Sequence, residues 1–427
     1  MPAPSQTKEL LANTPYVVLL TARTLSMLGM AFAPVALAFG VLGLPGADAG
    51  TLSLVMAANT VPMVVLLLVG GVVADRYPRK TVLIVGESFA AVGFAAIGVM
   101  LLIGYAPVWL LCTAAGVAGA AGAMTYPALS GIIPDIVPED LRQKGNAWLA
   151  MGASAARLGG LVAGGAAVVW LGGGWAMIAA GSLYFIAGLL LLRLPRVVGN
   201  IAGESEHPLR QLIDGWGEFS SRQWLWVVVA QWSVMIMALQ AAEGVLGPVV
   251  AKQELGGAGA WTIILVGQAV GAVIGVWLSM VWKPTRPILV ATLLTLTSGV
   301  PPILLGLSAP LWSVVAAMFV LGITFDLFGV LWMTTMQDEV PPEALARVAS
   351  YDALGSLMLG PIGLVLAGPA ILVFGVHTAL VGTGIIATGV TVLALLSPEV
   401  RQLRSRSAQQ LSVADVAEDL EITSPVM

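Results

Sequence analysis

Four ionisable residues lie inside long apolar runs of this chain: Arg23, Arg157, Glu243 and Asp326. A charge within a bilayer is costly, so each marks a functional position with a partner, unless it is paired for structure alone. An acid in such a place does proton chemistry. Burial favours its neutral form, while a nearby arginine or intermittent water favours the charged one. Asp326 is the first candidate for a group that binds and releases a proton as its exposure changes. Glu243, late in its run, is the second. Arg157 or Arg23 then serves as counter-ion or holds an anionic substrate, and Asn59, Tyr126 and Gln240 add polar reach. The structural alternative, pairing with backbone carbonyls or another buried charge, stays open for each. Asp352 falls close to the start of its run and reads as a loop-side contact. Nothing else has the spacing of a catalytic centre. There are two histidines and one cysteine, Cys112 reads as a small buried hydrophobe, and no GxxxxGK[ST] phosphate loop occurs. An enzyme reading has no support, and neither cofactor nor metal is expected.

A second charged feature is GGVVADRYPRK, Gly70 to Lys80, with Glu87 shortly after. Charged residues make up 10% of the chain, so such a cluster is expected at water, Glu87 included, in a short turn between two spans. The rest of the composition agrees. The 427 residues are 58% hydrophobic with a mean hydropathy of +0.94, more than a soluble fold can bury, so lipid must be the solvent for most of the surface. A net charge of −4 without a basic block argues against a nucleic-acid partner. The fifty glycines suit close-packed membrane helices.

A spanning helix needs about 20 apolar residues. That ruler gives twelve spans, at roughly 15–42, 51–73, 81–104, 107–133, 147–170, 175–193, 224–248, 260–282, 287–307, 310–336, 348–374 and 377–396. The first run is too long for a signal peptide and is expected to remain as a span. Residues 194–223 form the one sizeable linker between six-span bundles at 1–193 and 224–396. In it Leu209, Leu212, Ile213, Trp216 and Phe219 recur at helical spacing beside charges, as in an amphipathic helix lying on the membrane surface. Residues 397–427 read as a polar, disordered tail. Sixteen lysines and arginines fall on one side of this layout and Lys252 alone on the other. By the positive-inside rule both termini and the Gly70–Lys80 turn are cytoplasmic. Trp148, Trp332 and Tyr351, near span ends, fit an interfacial belt.

The two halves are related. PDIVPEDL after the fourth span matches QDEVPPEAL after the tenth, with Asp135 and Asp338 setting an offset of 203 residues. The same offset pairs Gly152 with Gly355, Gly160 with Gly363 and Gly165 with Gly368. A loop and the following span keep register without a gap, which reads as a parallel duplication of six helices.

On these residues the chain resembles the major facilitator superfamily over nearly its whole length. That family's motif, G-x-x-x-D-R-x-G-R-K/R between helices 2 and 3, is matched by Gly71, Asp75, Arg76, Arg79 and Lys80, with Pro78 replacing the second glycine. The second-half counterpart keeps Lys283 and Arg286 but has no acid. The resemblance implies an all-α membrane fold of two pseudo-symmetric six-helix bundles, with helices 1, 4, 7 and 10 around a central cavity. It also implies that Asp75 and its basic neighbours pair with the start of helix 11 as a cytoplasmic gate; the alternative is that the basic residues only anchor topology. Gly159, Gly160 and Gly164 in helix 5 look like the antiporter-associated glycine motif of drug exporters; helix 11 carries Gly360, Pro361 and Gly363, and close helix packing accounts for such glycine-rich spacing equally. The antiporter proline and the helix 4 arginine are absent, and the chain looks more like the bacterial branch of siderophore and macrolide exporters. The expectation is a monomeric, proton-coupled carrier that exports a small hydrophobic or amphipathic compound across the bacterial cytoplasmic membrane. Nutrient import, lipid flipping and a non-transporting sensor or scaffold remain as alternatives.

Overall fold

The computed structural model describes residues 10–138, 141–195, 216–282 and 284–404, without the side chains of 67–76, 126–131, 134–135, 143, 342–343 and 346. Twelve helices among these residues are long and apolar enough to cross a membrane. They are α1 Thr14–Leu42, α2 Ala49–Arg76, α3 Arg79–Ile103, α4 Val108–Ile136, α5 Arg142–Leu171, α6 Gly173–Leu191, α7 Gln223–Glu254, α8 Ala258–Val281, α9 Pro287–Gly306, α10 Leu311–Glu339, α11 in two pieces, Pro342–Leu357 and Gly360–Phe374, and α12 Val376–Ala394.

Local chemistry sets their ends. Asn13 caps α1, accepting the Tyr16 N–H at 3.2 Å, while its amide donates to the Ile136 carbonyl at the end of α4. Asp48, just before α2, accepts the Thr51 N–H at 2.8 Å, which holds its carboxyl below the ordinary aspartate range. Prolines mark the breaks in the second half. Pro248 follows a π turn at Ala242–Leu246 in α7, Pro301 and Pro302 follow a 3₁₀ stretch at Thr295–Gly299 in α9, and Pro361 follows the break in α11. Each proline lacks the N–H that would bond the carbonyl four residues earlier, so the local hydrogen-bond register shifts.

Packing within each half repeats. In the first half α2 lies along α4 and α1 along α5; in the second, α8 lies along α10 and α7 along α11. The contacts are close enough to exclude a Cβ. One built on Gly119 of α4 would lie 1.8 Å from the Asn59 carbonyl oxygen, and one on Gly322 of α10 would lie 2.0 Å from that of Gln268. Gly160 meets Leu28 and Ala31 of α1, and its repeat mate Gly363 meets Met237 of α7.

The halves join at one end. We call the end carrying the α2–α3 and α8–α9 turns the basic end and the other the far end. At the far end α5 packs on α8 and α2 on the second piece of α11. Gly165 faces Thr262, and Gly368 faces Gly50 and Ser53. The Ser53 hydroxyl donates to the Leu364 carbonyl and accepts the Gly368 N–H at 3.3 Å. Lys252 of α7 donates to the Leu42 carbonyl, the last of α1. A single buried core, with Leu37, Leu52, Leu246, Trp261 and Leu364 in it, spans both halves here. Towards the basic end the core divides into two, one around Leu19, Ile133 and Leu191 and the other around Trp224, Leu331 and Val348.

Several expectations need correction. Glu87 is not at water; it is 3% exposed, eight residues into α3, and accepts a hydrogen bond from Ser26 at 2.8 Å. The turn's water ends at Lys80, and the helix carries Glu87 inward about 12 Å. Trp332 is not interfacial but buried, 7% exposed, between Trp224 and Phe328. The segment after α12 is ordered where it starts: Pro398–Gln402 is a helix, Val400 is fully buried, and Glu399 accepts the Trp224 N–H at 3.0 Å. Of the linker, Leu209, Leu212 and Ile213 lie outside the described residues. Phe219 is buried, and Trp216 and Phe219 form an aromatic cluster with Tyr351 of α11.

A cation capping the last carbonyl of a helix opposes its dipole, so Lys252 ties the halves together at the far end. Lys252→Met is expected to loosen that end while leaving each bundle folded. Spin labels at Ala47 and Ser308, read by pulsed electron–electron distance measurement, should give a longer and broader distribution in the variant. An unchanged distribution would show that apolar packing alone holds the seam.

Candidate functional site

A cavity of about 420 Å³ lies in the second half, between the middle of the bundle and its basic end. That volume suits a small organic molecule. One wall is aromatic. Trp232 of α7 stacks on Phe328 of α10 at 4.4 Å with 12° between planes, and Phe328 continues to Trp332 at 6.1 Å and 9°. These residues sit at i, i+4 on α10, so one helix face holds two rungs of the ladder. The polar lining is Arg157, reaching in from α5, with Gln268 of α8, Asp326 of α10, and Asp352 and Ser356 of α11.

The sequence candidates separate into groups. Arg157 and Asp326 come together at the cavity, and the Arg157 charge acts on the carboxyls of both Asp326 and Glu243. Glu243 stands on the π turn of α7, in a smaller apolar pocket behind with Trp261 and Pro302. A π turn is a common device for re-aiming a side chain at a functional site. Among the described residues Arg157 is in no ion pair within 4 Å, so it is shared between the two acids rather than committed to one.

Arg23 belongs elsewhere. Its charge acts on Glu87 and on the buried phenol of Tyr184, inside the first half. Asn59 does not line the cavity; its amide donates to the Ala115 carbonyl at 2.9 Å and ties α2 to α4. Gln240 does not line it either, and packs beside Gly360. The side chain of Tyr126 lies outside the described residues, as do those of Gly71, Asp75 and Arg76, whose backbone ends α2. Lys80 is engaged within its own half, donating to the Leu192 carbonyl at 2.9 Å and to that of Leu194, where α6 ends. Arg79, one residue earlier, is the first residue of α3.

The glycine motifs also divide. Gly160 and Gly164 are packed against α1, and Gly360, Pro361 and Gly363 are buried against α7. Gly159 is the exception: a Cβ there meets nothing within 4 Å. It lies 100° round the helix from Gly160, on the open side.

Four side chains of the cavity wall escaped the sequence reading. Asp352 is not a loop-side contact. The helix begins at Pro342, six residues before the expected border, so Asp352 stands about 15 Å along it, in the cavity wall. Gln268 occupies the place in α8 that Asn59 has in α2, with the Gly322 and Gly119 contacts as markers. Trp232 and Phe328 drew no notice, because an aromatic stripe at helical spacing carries no signal of its own.

A Cβ placed on the two neighbouring glycines of α5 tests this geometry. Gly159→Ala should leave thermal stability in detergent unchanged. Gly160→Ala, whose Cβ would lie 2.7 Å from Ala31 Cβ and 2.9 Å from the Leu28 carbonyl oxygen, should cost about 1–3 kcal/mol. Equal melting temperatures for the two variants would refute the close α1–α5 contact.

Comparison with known proteins gives a consistent result. Residues 17–355 match the Major Facilitator Superfamily. The enterobactin exporter EntS of Escherichia coli (strain SMS-3-5 / SECEC) is 27% identical over 368 residues, covering 83% of this chain and 84% of that protein. EntS of Shigella boydii serotype 18 (strain CDC 3083-94 / BS512) is 27% identical over 361 residues, covering 81% and 83%. Among solved structures, the nucleoside transporter NupG superposes with a TM-score of 0.69 at 12% identity, covering 90% of this chain and 98% of NupG. A POT family transporter in complex with 5-aminolevulinic acid superposes with a TM-score of 0.70 at 15% identity, covering 90% and 96%.

Proposed function

Because the chain belongs to the major facilitator superfamily, and is a membrane transporter rather than an enzyme, we propose that it exports a small hydrophobic or amphipathic compound across the bacterial cytoplasmic membrane, driven by protons. The observation that carries this reading is one cationic side chain, Arg157, set between two acids at the wall of a cavity beneath a closed far end. Export as the direction is supported by the relatives, which are exporters.

The cycle follows from the geometry. With the basic end in the cytoplasm, a placement the lysine and arginine distribution supports, the separate cores at that end let the cavity load from the inside. Asp326 is charged in this state, and Arg157 balances it. When the halves rock so that the far end opens, Asp326 meets the more acidic exterior and takes a proton. Arg157 then loses one of its two partners and turns towards Glu243, the substrate leaves, and the neutral site returns. Proton release to the cytoplasm resets it. Such a carrier needs the halves to separate at the far end and meet at the basic end. There Asp75, Arg76 and Arg79 close against the first piece of α11, and Gly71 lets the turn approach. Lys80 stays on the end of α6 and keeps the turn in place.

Efflux of a fluorescent substrate from loaded cells, with and without a protonophore, tests this. Asp326→Asn should lower proton-dependent efflux by about tenfold or more, with the protein still made and folded. Unchanged efflux would remove Asp326 from coupling. Protonophore-sensitive accumulation in place of efflux would make the carrier an importer.

A further inference from the structure

The acids of the cavity outnumber its cations. Asp326 and Asp352 line it with Arg157 as the one cationic lining residue among the described residues, and Arg157 already acts on Asp326 and on Glu243 behind the wall. Asp352 is therefore left without a counter-charge: among the described residues it is in no ion pair. Its two oxygens are held by neutral donors. Trp332 Nε1 donates to Oδ2 at 3.2 Å, and Ser356 Oγ donates to Oδ1 at 3.3 Å. Both bonds fix the carboxylate in orientation without cancelling its charge, and each oxygen keeps acceptor capacity towards the cavity. Trp332 is itself fixed, packed against Trp224 at 5.4 Å and continuing the ladder to Phe328 and Trp232. A negative group and a set of aromatic faces thus border the same space, and both attract a cation.

We propose that Asp352, clamped by Trp332 and Ser356, is the subsite for the cationic head of the transported molecule, a protonated amine or an onium group, whose flat apolar body lies along the Trp232–Phe328–Trp332 ladder. This rests on the cavity being the transport site, and it names the substrate class of that site. An uncompensated carboxylate at membrane depth is unfavourable by itself, and the substrate supplies the missing charge. Asp326 and Asp352 divide the work: the acid that Arg157 balances serves the proton, and the acid without a cation serves the cargo. Specificity then comes from charge sign together with the aromatic ladder, which Gln268 and the apolar remainder of the wall cannot supply.

Equilibrium binding to the purified full-length protein in detergent tests this without any gradient. The probes are tetraphenylphosphonium and tetraphenylborate, ions alike in size and shape and opposite in charge. The wild type is expected to bind the phosphonium more tightly than the borate. Asp352→Asn should weaken phosphonium binding by about tenfold or more and leave borate binding the same or tighter. Asp352→Glu should retain it, and Trp332→Phe, which keeps a ring but loses the N–H, should fall between. Each variant is first shown monodisperse with a wild-type melting temperature, and Asp352→Glu keeps the test informative should Asp352→Asn not fold. Phosphonium binding indifferent to Asp352→Asn, or tighter binding of the borate by the wild type, overturns the proposal. Because no proton gradient enters, a failure of Asp326 in coupling leaves this result standing, and the reverse holds as well.

Discussion

Backbone contact at glycine is the constraint on which the arrangement rests. In lipid there is no hydrophobic gain from bringing two apolar helices together, so they associate by close packing and by hydrogen bonds that small residues permit. Here the same contact is used at two levels. Gly119 and Gly322 let helices approach within a half, and Gly165 and Gly368 let the halves approach each other. The second set lies at the far end alone, where Ser53 and Lys252 add hydrogen bonds to carbonyls across the seam. Such a seam closes over an apolar core shared by both halves, and parting it need not unfold either half. The requirement that a carrier be rigid in its halves and separable between them is met by placing such glycines on α4 and α10 within the halves and on α5 and α11 between them.

Charge is distributed with the same economy. The first half buries Glu87 with Ser26, Arg23 and Tyr184 around it, a set directed inward among its own helices. The second half directs Asp326 and Asp352 at the cavity, and its neighbour lends Arg157. The pseudo-symmetry of the fold therefore does not extend to its polar groups. The broken helices share this asymmetry: the π turn of α7, the 3₁₀ stretch of α9 and the gap in α11 all lie in the half that lines the cavity.

Much of the fold was legible in the sequence because lipid imposes a simple rule. Twelve runs of sufficient length became twelve helices, with borders wrong mainly where polar residues begin a helix early, as at Pro342 and Arg142. The duplication was visible only from α4 to α5, where the offset stays at 203. The structure extends it: Leu28 corresponds to Met237, and Asn59 to Gln268, both at 209. No matching residue type marks those pairs, since their backbones rather than their side chains meet the glycines. The charged candidates could be picked out in the sequence but not placed. A buried charge announces itself by composition, but which side of a helix it takes is set by partners on other helices. That is why Arg23 and Arg157 looked equivalent and are not, and why Asp352, three turns from where its helix starts, looked peripheral.

Lys252 has a further consequence, for how the protein is assembled. The carbonyl of Leu42 ends α1 near the start of the chain, and the ammonium that caps it arrives 210 residues later. While the first six helices are being made, that carbonyl has only water at the membrane surface to bond. The completed far end is then reached when α7 enters beside α1 and the lysine replaces the water. The one basic residue placed against the charge bias of the loops is also the one that records the arrival of the second half. Synthesis of the first half alone would leave α1 with an end that its own bundle does not close.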